Sequence, residues 1–181
     1  MNLFVIYIGG KTEGSLIELH DLRFVVAESI KQCYEELRDS WWGTPESLHL
    51  DCWGILRSVD EFDITIKNSP SVEPNKIYFA NLGGYDPKQF TELHDNVFVV
   101  AKNAVEAKAK ALHKVKSKHW AVPHRDNLYE VEDVLCMTDL LAKKSYFTHL
   151  TLTEDPVPFE FTCKYVPIAR KSLVEPSPNE V

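Results

Sequence analysis

Apolar residues along the chain fall into short blocks with two alternating periods. Leu3–Ile8 is an unbroken apolar run of strand length, and Arg23–Ala27, apolar from Phe24 on, is a second strand block. After Ser29 the period changes. Ile30, Cys33, Tyr34, Leu37 and Trp41 recur at i, i+3, i+4, i+7 and i+11, the series of a helix with one buried face. Two more strand blocks follow, Leu48–Val59 and Phe62–Ile66. The same succession then repeats: strands over Ile77–Leu82 and Val97–Ala101, a helix buried through Ala104, Ala107, Ala111, Leu112 and Val115, and strands over Leu128–Met137 and Tyr146–Leu152. Ser29 and Asn103 precede the two helices, with Gln32 and Glu106 three residues on, which is the spacing of a helix N-cap with a capping box. Each helix runs into a turn-rich exit, Trp42-Gly43-Thr44-Pro45 and Trp120-Ala121-Val122-Pro123.

The recurrence is one of identity as well as pattern. A shift of 74 residues superimposes Leu3–Ala27 on Ile77–Ala101 without a gap, and ten of the 25 positions are identical. Each half carries Gly-Gly (Gly9-Gly10, Gly83-Gly84), then Glu-Leu-His-Asp (Glu18 to Asp21, Glu92 to Asp95), then Phe-Val-Val-Ala. These blocks predict an α+β protein of two tandem β-β-α-β-β units, residues 1–68 and 76–153. A polar, proline-bearing linker over 69–75 joins them, and a C-terminal extension over 154–181 ends in a mobile stretch from Val174. Units this small are marginal alone, so the expectation is that they pack about a pseudo-twofold axis like fused protomers of a dimer.

The doubled motif, with His49-Leu50-Asp51-Cys52-Trp53 after the first copy and Tyr129-Glu130-Val131-Glu132-Asp133-Val134 after the second, resembles the bacterial domain-of-unknown-function family 1543 over about residues 2–153. The resemblance implies one or two copies of such a unit. It implies no activity and no catalytic residue.

Composition narrows the classes of function. With 181 residues, 44% of them apolar, and only 7 Gly and 10 Pro, the chain can bury a real core, which excludes collagen-like and wholly disordered readings. A net charge of −7 argues against a general nucleic-acid binder. Cys33, Cys52, Cys136 and Cys163 form no CxxC pair, so neither a disulfide framework nor a zinc ribbon is expected. The apolar N-terminus lacks a basic region and a cleavage site, and it reads as a strand. No apolar run reaches the ~20 residues of a membrane span. The expected setting is cytoplasmic, with reduced thiols.

Four constellations carry candidate chemistry. Glu18, His20, Asp21 and their copies Glu92, His94, Asp95 are either ligands for a divalent cation or acid/base groups, or they staple the long connection between the first two strands of each unit. Strand alternation sets His49, Asp51 and Trp53 on one face, as a pocket wall or as a cross-strand pair, with Leu50 and Cys52 toward the core. The paired glycines lack any phosphate-loop continuation and point to a positive-φ turn or a close backbone approach. Positive charge concentrates in one stretch, where Lys108, Lys110, Lys114, Lys116, Lys118 and Arg125 form a candidate anion-binding face or a solvated helix surface.

The reading that follows is a binding or interaction module without a resident cofactor, for a protein partner or for self-association, with the Glu-Leu-His-Asp loops edging its functional cleft. Two alternatives stay open: a divalent-metal-dependent, hydrolase-like enzyme using His20, Asp21, His94 and Asp95, and anion or nucleic-acid binding through residues 102–125.

Overall fold

A computed structural model describes residues 1–85, 88–116, 122–123 and 134–169. The chain is α+β, its sheets are antiparallel, and it divides into two compact units. The first joins Met1–Leu56 to Phe159–Val181, and the second is Arg57–Pro158. This partition differs from the repeat boundaries read from the sequence.

The first unit is a four-stranded sheet backed by one helix. Strands β1 (Asn2–Gly10) and β2 (Leu19–Ala27) form a hairpin, and β1 also pairs with β3 (His49–Ile55). The outer edge of β3 is covered by a strand from the far end of the chain, Phe161–Pro167. Between β2 and β3 lie a 3-10 turn, Ile30–Cys33, and α1 (Tyr34–Ser40). The expected stripe is buried: Cys33, Leu37 and Trp41 pack on Phe4, Ile6, Ile8, Val25, Leu48 and Leu50, with Ile30 and Tyr34 half-buried beside them. Only the opening differs from the expected α-helix. Ser29 makes no side-chain cap and the first turn tightens to 3-10, while Gln32 Oε1 accepts the Glu28 N–H at 2.9 Å.

In the second unit, β4 (Ser58–Val59) and β5 (Phe62–Lys67) form a tight hairpin, and β6 (Lys76–Tyr85) and β7 (Glu92–Ala101) a long one. Then come α2 (Ala104–Lys116), β8 (Val122–Pro123), β9 (Val134–Cys136), α3 (Met137–Ala142) and β10 (Phe147–Leu152). With these placed, the covering strand of the first unit is β11. β6 is flanked by β7 on one side and by β8 and β9 on the other, while β10, β5 and β4 make a separate sheet. The second capping box closes as expected: Asn103 Oδ1 accepts the Glu106 N–H at 3.0 Å and Glu106 Oε2 accepts the Lys102 N–H at 3.1 Å.

Three expectations are corrected here. Leu19 to Asp21 and Glu92 to Asp95 are strand rather than loop, with Glu18 just ahead of β2, because β1 stays paired through both glycines, from Asn2 opposite Ala27 to Gly10 opposite Leu19, and β6 likewise to Tyr85 opposite Glu92. The block Leu48–Val59 breaks after Ile55, and Leu56 and Arg57 fall on either side of the boundary between the units. Of the strand expected over Leu128–Met137, residues 128–133 lie outside the described residues, Val134–Cys136 is strand, and Met137 opens α3. The expected mobile stretch 174–181 also lies outside them.

Candidate metal centre

The geometry of the site starts from the hairpin register. Gly9 in β1 stands opposite His20 in β2 and, on its other side, opposite His49 in β3. Three residues therefore lie in a row across adjacent strands, about 4.8 Å apart, with glycine in the middle. The missing side chain leaves a gap into which both imidazoles lean. A methyl group on Gly9 would stand 2.7 Å from His20 Cδ2, 2.8 Å from His49 Nε2 and 2.8 Å from Asp51 Oδ2. The close-approach reading of this glycine thus accounts for it, and the only positive-φ glycine among the described residues is Gly14.

Asp51 arrives by a bulge. On β3, Leu50 pairs with Ile8 and Cys52 with Tyr7, so Asp51 is an extra residue in the ladder. On the opposite edge β11 also steps, from Cys163 opposite Cys52 to Val166 opposite Leu50. The bulge inverts the alternation of β3. Leu48 and Leu50 face the core before it, whereas Trp53 and Ile55 pack on that core after it. Trp53 therefore leaves the face that holds His49 and Asp51, which corrects the expectation of a His49, Asp51, Trp53 wall.

Four polar side chains meet over Gly9. Ligand-type atoms of Glu18, His20 and His49 lie within 4.8 Å of one another. Asp51 Oδ2 is 3.4 Å from His20 Nε2 and 3.5 Å from His49 Nε2, and Glu18 Oε2 is 3.7 Å from His49 Nε2. These separations are long for hydrogen bonds. They match the edge of a tetrahedron, about 3.3–3.4 Å when the metal–ligand bonds are about 2.0–2.1 Å.

The hydrogen on His49 Nδ1 follows from its surroundings. Its Nδ1 is 2.9 Å from the Ser47 carbonyl oxygen, which can only accept, so Nδ1 carries the proton and donates. In the neutral ring, Nε2 is then a bare lone pair. The His49 side chain is 1% exposed, and both its Nε2 and Asp51 Oδ2 are buried without a hydrogen-bond partner. With the ring neutral, two acceptors thus face each other across a gap, an arrangement that a cation, or a proton on Nε2, would satisfy. The other side is open, since His20 is 36% and Glu18 43% exposed. Two tyrosines flank the gap: Tyr7 stacks on His20 with ring centroids 5.4 Å apart, and Tyr165 of β11 lies 4.4 Å from the His49 ring. Burial, and then the Asp51 carboxylate, raise the Tyr7 phenol above its ordinary pKa. Next to Asp51, burial and a hydrogen bond with Cys163 push the Cys52 thiol up to about 12.

The remaining sequence candidates have other partners. Asp21 points to the opposite side of β2, where it pairs with Arg23 and accepts the Leu22 N–H at 2.7 Å. His94 repeats the pairing with glycine, Gly83 opposite it, but its Nδ1 meets Asn81 Oδ1 at 2.8 Å and its Nε2 lies 3.5 Å from Glu92. Asp95 is half-buried in β7, three residues after Glu92. Among the described residues, no other trio of His, Cys, Asp or Glu gathers as closely as the group over Gly9. Of the candidate anion-binding side chains, Lys110 donates to the Val100 carbonyl and Lys114 to the Phe98 carbonyl, both at 2.8 Å, capping the free edge of β7. Lys108 is half-buried on α2. The Lys116 side chain, Lys118 and Arg125 lie outside the described residues.

Residues 15–66 match the model of a Domain of Unknown Function, DUF1543. The matched stretch contains Glu18, His20, His49 and Asp51. Among solved structures, the chain is similar to the crystal structure of a protein Il1583 from Idiomarina loihiensis, with 27% identity and a TM-score of 0.67, covering 93% of this chain and 99% of that one. No curated protein matches the chain. Among the described residues, no helix is long and apolar enough to cross a membrane.

Proposed function

We propose that the first unit is a binding module for a divalent first-row transition metal, held by His20, His49, Asp51 and Glu18 over Gly9. The supporting observation is the buried Nε2 of His49, whose tautomer is fixed by Ser47 and whose lone pair faces the Asp51 carboxylate with no donor between them. Two imidazoles with carboxylates suit Zn²⁺, Fe²⁺, Mn²⁺ or Co²⁺ better than Ca²⁺ or Mg²⁺, which favour all-oxygen shells. The site belongs to one copy of the duplicated motif. The other copy, with His94 turned to Asn81 and Glu92, keeps the hairpin, and the two are read as tandem copies of one ancestral unit. Four free cysteines fit a cytoplasmic setting.

The exposure of Glu18 and His20 favours a second reading, in which the cation keeps an open position and activates water as in metal-dependent hydrolases. Both readings require the metal. The test is calorimetric titration of untagged, chelator-stripped protein with Zn²⁺ near neutral pH. One equivalent should bind, and binding should vanish in His20→Ala and in Asp51→Asn. Binding that survives both substitutions, or no binding below millimolar zinc, overturns the proposal.

A further inference from the structure

Cys52 of β3 and Cys163 of β11 are directly opposite in the antiparallel ladder. Cα atoms of opposed residues in such a ladder lie about 4.5 or about 5.5 Å apart, and both values fall within the range that a disulfide bridges. The two residues differ in access: Cys163 is exposed and Cys52 half-buried. They also belong to the two separate segments that make up the first unit, with the whole of Arg57–Pro158 between them. β11 is held lightly by side-chain burial. Phe161 through Tyr165 are exposed and only Val166 is half-buried within the strand, with Ile168 buried just beyond its end.

We propose that Cys52 and Cys163 are a redox modification site: an oxidised low-molecular-weight disulfide of the glutathione type converts them to an intrachain disulfide that locks β11 onto β3. The Cys163 thiolate attacks one sulfur of the small disulfide and expels the first small thiolate, leaving a mixed disulfide. Cys52, giving up its proton to solvent as it reacts, then attacks the Cys163 sulfur and expels the second. One S–S bond is broken and one formed, the two protein thiols are oxidised by two electrons in total, and two small thiols are released carrying the protons. Buried Cys33 and half-buried Cys136 sit in other elements and serve as internal controls. The proposal does not depend on the cation reading and is tested with chelator present throughout.

The experiment is incubation of the full chain with oxidised glutathione, acid quench, intact-mass measurement and non-reducing peptide mapping. Expected are a loss of about 2 Da, one Cys52–Cys163 peptide, and a rise in melting temperature of about 5–10 °C that a reductant reverses, because the bond closes a very long loop. Cys52→Ser should stop at the mixed disulfide on Cys163, and Cys163→Ser should not react at either position. A wild-type protein that stops at the Cys163 adduct while Cys52 still alkylates on unfolding overturns the proposal, as does a bond linking either residue to Cys33 or Cys136.

Discussion

Replacing Gly9 by alanine tests the gap more directly than removing any ligand, because it leaves all four candidate ligands in the chain. The added methyl would stand 2.7–2.8 Å from His20, His49 and Asp51, whereas ordinary contacts lie at about 3.5–4.0 Å. Each of the three groups would have to retreat by about 0.7–1.3 Å, several times the ~0.2 Å over which metal–ligand distances are normally held. Without metal, overpacking of this kind costs about 1–3 kcal/mol. With Zn²⁺ at about one hundred times its dissociation constant, the wild type gains about 2.7 kcal/mol. For a chain of this size that is a rise of about 5–10 °C in melting temperature. The Gly9→Ala variant should show a lower melting temperature in chelator and almost no rise with zinc. Gly43→Ala is the control. Its methyl would meet the Lys11 carbonyl oxygen and Trp41 Cζ2, both at 2.6 Å, away from the four ligands. It should therefore lose stability and keep the zinc shift. A Gly9→Ala protein stabilised by zinc as much as the wild type would refute the idea that the glycine makes room for a cation.

The two imidazoles should separate by stability. His49→Ala opens a buried cavity and leaves the Ser47 carbonyl unpaired, so urea unfolding in chelator should show a loss of about 2–4 kcal/mol, whereas the more exposed His20→Ala should cost under about 1 kcal/mol. Zinc titration should find both inactive, and equal stabilities would sink the assignment of His49 as the buried anchor. Away from the site, the Lys76 ammonium holds the Asp139 carboxyl below its ordinary pKa, at Nζ–O distances of 2.8 and 3.0 Å, and the carboxylate in turn raises Lys76. The Asp139 contribution is present above the ordinary value of 3.8 and fades as pH falls through the lowered one. Lys76 contributes below its ordinary value of 10.5 and fades as pH rises through the raised one. Asp139→Asn should therefore be less stable than wild type at neutral pH, by under about 1 kcal/mol for so exposed a pair, with the difference closing at both extremes of a denaturation series run across pH.

The helix faces and the strand blocks were legible because burial imposes its period locally: Cys33, Leu37 and Trp41, or Ala107, Ala111 and Val115, need no partner to be recognised. The candidate site was legible in pieces. Glu-Leu-His-Asp and His-x-Asp stood out separately, but their meeting depends on long-range pairing. The blocks alone do not fix the register: setting Leu3 against Ala27 would put Gly9 opposite Asp21, whereas the observed ladder is offset by one, with Leu3 opposite Val26 and Gly9 opposite His20. No local signal announces the bulge at Asp51, and strict alternation sent Trp53 to the wrong face. α3 was missed because a six-residue helix shows only one helical repeat of burial, Met137 and Leu141. The exchange of strands between repeats was hidden as well, since nothing in Phe62–Lys67 names Phe147–Leu152 as its partner.

The first unit is completed by β11, a strand that follows the whole of Arg57–Pro158 in the chain. During synthesis, β1, β2, α1 and β3 leave the ribosome before the second unit, yet the outer edge of β3 has no β11 to pair with until everything from Arg57 to Pro158 has been made. Three further attachments to that late segment are missing for the same interval: the Arg38 guanidinium on the Ile168 carbonyl, the Ile168 N–H on the Leu48 carbonyl, and the Ile168 side chain in the core. A nascent chain halted anywhere in the second unit therefore carries an open sheet edge and an incomplete core, the state most exposed to edge-to-edge association and to proteolysis. The order of translation thus opposes the order in which the first unit can close, and the second unit has time to fold before the first is complete.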